Sequence, residues 1–254
     1  MRAARALREL AAAAAGGWLD LLLPPACSVC CALLEDRRSC LCPECLAEMR
    51  RPEPPLCDMC GQPTYGSERC AACRAEPPPV RIRSALFFEN AAAAALTAFK
   101  LSGRLELGDW LADEMEPLLL AFSPPPDILV PVPLHRSRLR QRGFNQAAWL
   151  ARRLSRRLSR RLRLPLSLSQ LRRVRPTPPQ GRAAGISARA QNVRGAFALH
   201  RRHPFAGRRV CLVDDTATTG ATLAECARVL RAGGASEVLA VTAARTPPPD
   251  IPPT

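Results

Sequence analysis

The 254-residue chain predicts an α/β fold with a parallel central sheet, preceded by a small cysteine-rich module. Three observations carry that expectation. From Val80 onward, short apolar runs alternate with helix-length segments, the pattern of parallel strands joined by helical crossovers. Residues 27–73 hold ten of the twelve cysteines and few large apolar side chains, so an ordinary core cannot form there. The apolar run Val210–Val213 leads through a Thr/Gly turn into a helix, as strands do at the ligand end of a parallel sheet. Hydrophobic residues make up 47% and charged residues 23%, too apolar for a disordered chain. Aromatics are only 4%, so Leu, Val and Ala must fill the core.

In chain order, residues 1–26 read as an Ala-rich N-terminal helix closed by Pro24-Pro25. Glu9 and Asp20 interrupt this opening, and no apolar run approaches the ~18 residues of a membrane span. We therefore expect no secretion signal and no membrane span, and a cytoplasmic protein. Residues 27–76 form the cysteine module, and Pro77-Pro78-Pro79 a stiff linker. Ile82–Phe88 then reads as a strand, Ala91–Lys100 and Leu107–Leu120 as helices, and Ile128–Val130 as a short buried strand between prolines. A long helix is expected over 145–163. Val210–Val213 is the next strand, followed by a helix, Thr222–Leu230, that ends at Gly233-Gly234. Val238–Thr242 closes the sheet, so the second unit spans 80–246 and leaves 247–254 as a Pro-rich disordered tail.

The cysteines fall into four Cys-x-x-Cys pairs: Cys27/Cys30, Cys42/Cys45, Cys57/Cys60 and Cys70/Cys73. Two residues between thiolates let one knuckle place both sulfurs on one metal, and two knuckles complete a tetrahedral site. The gaps between knuckles, eleven residues and then nine, suit two consecutive zinc ribbons. We expect two structural Zn²⁺ ions, because a sulfur-only site is closed to substrate. A disulfide scaffold lacks its usual secretory context. Gly61 follows Cys60 where the chain must fold around the metal; Cys31 stands at the matching place in the first knuckle, leaving Cys31 or Cys40 as a substitute ligand. Cys211 and Cys226 read as small core residues.

Charge is as unevenly spread as cysteine. The formal net charge is +15, yet residues 134–209 contain 21 arginines and no acid, while the remainder holds 16 basic and 22 acidic residues. Such a stretch suits polyanions. A bias toward Arg codons accounts for the single lysine, Lys100, but not for 76 residues without an acid. Along 145–163, Leu150, Leu154, Leu158 and Leu162 form one stripe, with Arg152, Arg156 and Arg160 opposite and Arg153 and Arg157 on the flank. A solvated face and a phosphate-backbone contact both fit this helix.

The strongest chemical signal is Asp214-Asp215-Thr216-Ala217-Thr218-Thr219-Gly220-Ala221-Thr222. Loop amides and a helix N-terminus make an anion site, the Thr hydroxyls add donors, and Gly220 lets backbone approach a ligand. Two carboxylates repel phosphate, so they suit hydroxyls or a cation. That division fits a sugar phosphate. Neither a Walker A loop nor a Gly-x-Gly-x-x-Gly fingerprint is present.

This run resembles the signature of type I phosphoribosyltransferases for phosphoribosyl pyrophosphate (PRPP), with Thr216 and Ala217 where that family has aliphatic residues. More closely, the chain resembles the ComF family of competence-associated phosphoribosyltransferase-like proteins. The resemblance runs from about Leu19 to Arg245. It rests on the Leu-Leu-Pro-Pro-Ala-Cys entry, the cysteine knuckles, Phe99-Lys100, Gly103-Arg104 and Val130-Pro131-Val132-Pro133-Leu134-His135. It continues through Arg138, Arg142-Gly143-Phe144-Asn145-Gln146, Pro179-Gln180, and Arg189 through Asn192 to Phe197. It implies a type I phosphoribosyltransferase fold that binds PRPP with Mg²⁺, with Asp214 and Asp215 as the catalytic pair and 216–222 around the phosphate. It further implies a pyrophosphate loop with Pro133, His135, Arg138 and Arg142, and a hood over 172–197 with Arg182 and Arg189. His135 is the nearest candidate base. Single-stranded DNA and DNA-uptake proteins such as a helicase are the implied partners. An active transferase, a nucleic-acid-handling protein that keeps the PRPP site, and a zinc-ribbon adaptor are the three readings this leaves.

Overall fold

The computed structural model describes residues 24–64, 66–177 and 191–248. Most of the expected N-terminal helix, Arg182 and Arg189 of the hood, and the tail from 249 lie outside these residues. Two one-turn helices, α1 (Pro43–Ala47) and α2 (Ala71–Ala75), sit in the cysteine segment. There follow β1 (Arg81–Phe87), α3 (Asn90–Ser102), α4 (Leu105–Leu120), β2 (Ile128–Pro131), α5 (Arg136–Arg142) and α6 (Gln146–Leu158). The chain continues with β3 (Leu171–Arg173), β4 (Phe197–Leu199), β5 (Arg209–Ala217), α7 (Ala221–Ala232) and β6 (Glu237–Arg245).

The four longer apolar runs pair as a parallel sheet in the order β1-β6-β5-β2, as the alternation of strands and helices predicts. Parallel strands are buried on both faces, which is why β2 and the middle of β5 and β6 are almost wholly apolar, whereas β1 at the edge carries Arg81, Arg83 and Ser84. Cys211, Val213, Leu239 and Val241 face one layer, built from α3, α4 and α6 with Leu96, Phe99, Leu111, Leu150 and Leu154. Val210, Leu212, Val238 and Ala240 face the other, where Leu223, Cys226 and Leu230 of α7 pack. The first cysteine group joins the α4 layer through Leu41 and Met49.

Several elements differ from the sequence reading, among them β6, which runs three residues past Thr242 to Arg245. Strand β5 runs on through Asp214 and Asp215 to Ala217, because β6 offers Thr242 and Ala244 as ladder partners. Helix α6 stops at Leu158 instead of 163; Leu162 turns back so that its amide donates to the Leu158 carbonyl (2.7 Å), and Arg160 lies in that turn. Helix α5 escaped notice because it buries no residue; His135 caps its start and Gly143, at φ 77°, ends it. The antiparallel β3–β4 pair has three residues a side and joins distant segments, a contact that local pattern does not announce.

Gly108 lies inside α4, where glycine is ordinarily unfavourable. A Cβ there would stand 2.5 Å from Phe99 Cε2 and 2.9 Å from Trp149 Cδ1, so the missing side chain lets α3 and α6 close on α4. Gly108→Ala is therefore expected to destabilise the protein by roughly 1–3 kcal/mol through overpacking, despite the better helix propensity of alanine. A urea midpoint at or above the parent's would show that the two aromatic rings yield instead.

Candidate functional site

Eight thiols gather into two clusters, Cys27/Cys30/Cys42/Cys45 and Cys57/Cys60/Cys70/Cys73, each with all sulfurs within 4.8 Å of one another. A tetrahedral zinc with Zn–S bonds near 2.3 Å requires sulfurs about 3.8 Å apart. The Cys30–Cys42 and Cys60–Cys70 separations, 3.5 and 3.7 Å, meet that requirement. Burial raises the Cys27 thiol, but the amides of Cys30, Val29 and Cys42 point at it and outweigh burial, bringing it down to about 6. Cys57 is brought to about 7 in the same way, by the amides of Cys60, Cys70 and Met59. Both clusters thus present a sulfur-only donor set that fits structural zinc, which would cross-link segments with little core of their own.

Neither substitute ligand is needed. Cys31 adopts the same left-handed turn as Gly61, with φ 64° against 70°, and points to solvent. Cys40 donates to the Glu106 carbonyl, and burial with the Glu106 charge pushes its thiol up to about 11. The glycine at 61 has its own cause. A Cβ there would lie 2.6 Å from the Ile82 carbonyl oxygen.

At the carboxyl end of β5, the strand delivers Asp214, Asp215 and Thr216, and Thr218–Gly220 turn into α7. Gly220 caps α7 at φ 76°, a left-handed conformation costly for any other residue, and an added Cβ would sit 3.2 Å from Ile82 Cδ1. Thr219 Oγ1 accepts from the Ala221 amide at 3.4 Å. Burial, followed by the neighbouring Asp215 charge, pushes Asp214 up to about 8; the Asp215 amide, Lys100 and Arg173 pull the other way.

Lys100 is the site residue that residue-by-residue reading passed over. From the last turn of α3, its Nζ reaches Asp215 Oδ1 at 3.1 Å and donates to Thr216 Oγ1 at 2.8 Å. The signal was present, as a lone lysine in a chain that otherwise uses arginine. Arg173 of β3 is the second cation near Asp214. The pyrophosphate-loop candidates are placed less uniformly. Pro133 and His135 follow β2 at the same sheet end and line a cavity of about 830 Å³ with Arg136, Phe144, Arg152 and Arg173. His135 Nδ1 accepts from the Ser137 amide and shares a 2.8 Å hydrogen bond with its hydroxyl, so it serves as a helix cap. Arg138 donates to the Thr177 carbonyl and Arg142 to Gln146 Oε1.

The comparisons with known proteins follow the same division of the chain. Residues 18–74 match the double zinc ribbon domain and residues 146–252 the phosphoribosyl transferase domain. The DNA utilization protein YhgH of Salmonella typhi is 31% identical over 225 residues, covering 86% of this chain and 96% of that protein. Its Escherichia coli K12 counterpart is 30% identical over the same extent. Competence protein F of Haemophilus influenzae is 39% identical over 116 residues, 44% of this chain and 48% of that protein. The chain belongs to the ComF family. A purine phosphoribosyltransferase structure from Pyrococcus horikoshii overlies 57% of this ComF-family chain and 85% of its own, at 16% identity and a TM-score of 0.33.

The ComF-family ribbons carry a direct expectation. Zinc binding in small modules contributes roughly 10–16 kcal/mol, more than so little core could supply. Protein purified without chelator should hold two zinc ions per chain by metal analysis, and zinc removal should unfold the cysteine segment. Fewer than one zinc per chain would refute the assignment.

Proposed function

We propose that this ComF-family protein binds PRPP at the carboxyl end of its parallel sheet and serves in DNA uptake. The observation that carries the reading is the Asp214–Thr222 strand, loop and helix start. Carboxylates suited to ribose hydroxyls adjoin a small-residue turn whose amides, with Thr216, Ala217, Thr218, Thr219, Gly220, Ala221 and Thr222, suit the phosphate. Lys100 holds Asp215 in place. Pro133, His135, Arg138 and Arg142 would cradle the pyrophosphate, with Arg182 and Arg189 closing the hood and Mg²⁺ entering with PRPP. The double ribbon, 27–76, and the phosphoribosyltransferase-like unit, 80–246, work together in the cytoplasm. Transfer would break the anomeric C–O bond, release pyrophosphate and join a nucleophile at that carbon. Pyrophosphate release across a panel of bases and amines tests that step and identifies the acceptor.

Calorimetry tests the PRPP site itself. Thr219→Ala should weaken Mg²⁺-PRPP binding by roughly 1.5–3 kcal/mol, the worth of a hydrogen bond to a charged group. Gly220→Val should weaken it more, since it meets Ile82 and forbids the left-handed turn. Parent-like affinity in both variants would exclude this loop.

A nucleic-acid role is favoured by how the arginines of α6 and of the turn that follows it are used. Arg153 and Arg157 are spent on Asp109 and Asp113 of α4, the first of these ion pairs at 2.5 Å. Arg152, Arg156 and Arg160 are exposed and make no ion pair among the described residues. Arg152 also lines the large cavity, with Phe144 and Trp149 beside it as stacking surfaces. Such a face suits a single-stranded DNA backbone, and DNA-uptake proteins such as a helicase would hand that strand over. Affinity for single-stranded DNA should then fall steeply with salt, as each neutralised phosphate releases counterion. Arg152→Glu/Arg156→Glu/Arg160→Glu should abolish binding and leave zinc content intact. Unchanged DNA affinity at equal ionic strength would make this helix a solvated face.

A further inference from the structure

We infer that Arg245 is a positioning residue that ties the second four-thiolate site to the phosphate loop, so that the loop keeps its shape only while that site holds zinc. The inference rests on the PRPP reading for its ligand, and on contacts alone for the coupling.

Two routes connect the cluster to the loop. The first passes through Ile82. Strand β1 is the edge of the sheet, and the knuckle between Cys57 and Cys60 covers that edge, with the Ile82 amide donating to the Met59 carbonyl at 2.7 Å. Gly61 is packed so closely on the Ile82 carbonyl that no Cβ fits between them. The Ile82 side chain, in turn, lies beneath Gly220 of the loop. One residue thus touches the metal knuckle with its main chain and the phosphate loop with its side chain.

The second route passes through Arg245, the last residue of β6. Its guanidinium donates to the Cys60 carbonyl, only 5% of the residue is exposed, and its Nε has no hydrogen-bond partner among the described residues. The charges that face it are those of Cys60, Cys57 and Cys70; no carboxylate pairs with it among the described residues. A buried guanidinium needs a counter-charge, and a divalent zinc bound by four thiolates, with a net charge of −2, is one. Zinc there would also fix the knuckle, and with it the Cys60 carbonyl to which the guanidinium donates. The main chain of Arg245 is bound to the loop. It pairs in register with Ala217, the residue before Thr218, and the Thr246 amide donates to the Ala217 carbonyl at 3.0 Å. Gln62, one residue past Gly61, donates to the Thr246 carbonyl at 3.4 Å. Among the described residues, the first cluster is bonded instead to Glu106 of α4, through Ser28 and Cys40.

The test uses the full chain, with amide hydrogen exchange over 217–222 as a readout that needs no ligand and Mg²⁺-PRPP calorimetry as a second. Arg245→Met should speed loop exchange and weaken PRPP binding at least tenfold, and Arg245→Lys should restore most of both. Arg69→Met is the control. Arg69 donates to Asp58 of the same knuckle, and its side-chain contacts stop there among the described residues, so at equal zinc content both readouts should stay within twofold of the parent. Parent-like loop exchange and affinity in Arg245→Met, or equal losses in Arg69→Met, would overturn the inference. If the parent itself fails to bind PRPP, the proposed function falls, while faster loop exchange in Arg245→Met still upholds the coupling. Should Arg245→Met not fold, stepwise chelation of the parent decides. Loop exchange must rise as zinc leaves, and exchange that stays at the parent's rate after both ions have gone overturns the proposal.

Discussion

The pairing of β5 with β6 is the constraint on which the rest of this protein depends. Nine residues of each strand run in register at the centre of the sheet, from Arg209 beside Glu237 to Ala217 beside Arg245. Every functional group is placed relative to that ladder. It carries Asp214 and Asp215 out of the apolar core to the sheet's end and sets where the Thr218–Gly220 turn begins. It also stations Arg245 so that its side chain reaches the cysteine knuckle. A slip of one residue would exchange the two faces, sending Val210 and Leu212 into the layer built for Cys211 and Val213. Full burial on both sides makes that register unambiguous.

The cysteine segment is more than a module joined to the front of a sheet. Its first cluster packs into the α4 layer through Leu41 and Met49, and its second covers the exposed edge of β1. An uncovered edge strand invites pairing with other chains, and here the zinc knuckle fills the place. This arrangement gives the two clusters different neighbours. The first braces a helix, and the second touches β1 and the end of β6, the two strands that lie against the Thr218–Gly220 turn. Gly61 and Cys31 show the difference at one equivalent position: the site against β1 admits no Cβ, whereas the solvent-facing one admits a cysteine.

Arginine is used in three distinct ways along the chain. Arg153 and Arg157 bind α6 to the acidic face of α4, and exposed pairs of this kind contribute little to stability but define how the helices meet. Arg173 and Arg245 are half-buried or buried, make no ion pair among the described residues, and each faces a functional cluster, Asp214 for the first and the second cysteine group for the other. Arg152, Arg156 and Arg160 are exposed and make no ion pair among the described residues. Composition alone merges these classes, because charge counts do not record which acid lies across a helix interface.

Much was legible from the sequence by itself. Alternating apolar runs determined the parallel sheet, because burial on both faces leaves no other pattern. Cys-x-x-Cys spacing determined the metal clusters, because two intervening residues are what a knuckle requires. The Asp214–Thr222 run announced its turn through Gly220. Tertiary structure alone decided the rest. It chose Lys100 as the partner of Asp215, 115 positions away in sequence, made His135 a helix cap, and lengthened β5 through its carboxylates. It also brought Arg245 to Cys60 across 185 residues. These contacts depend on which strand lies beside which, and strand order is a product of global packing that no local periodicity encodes.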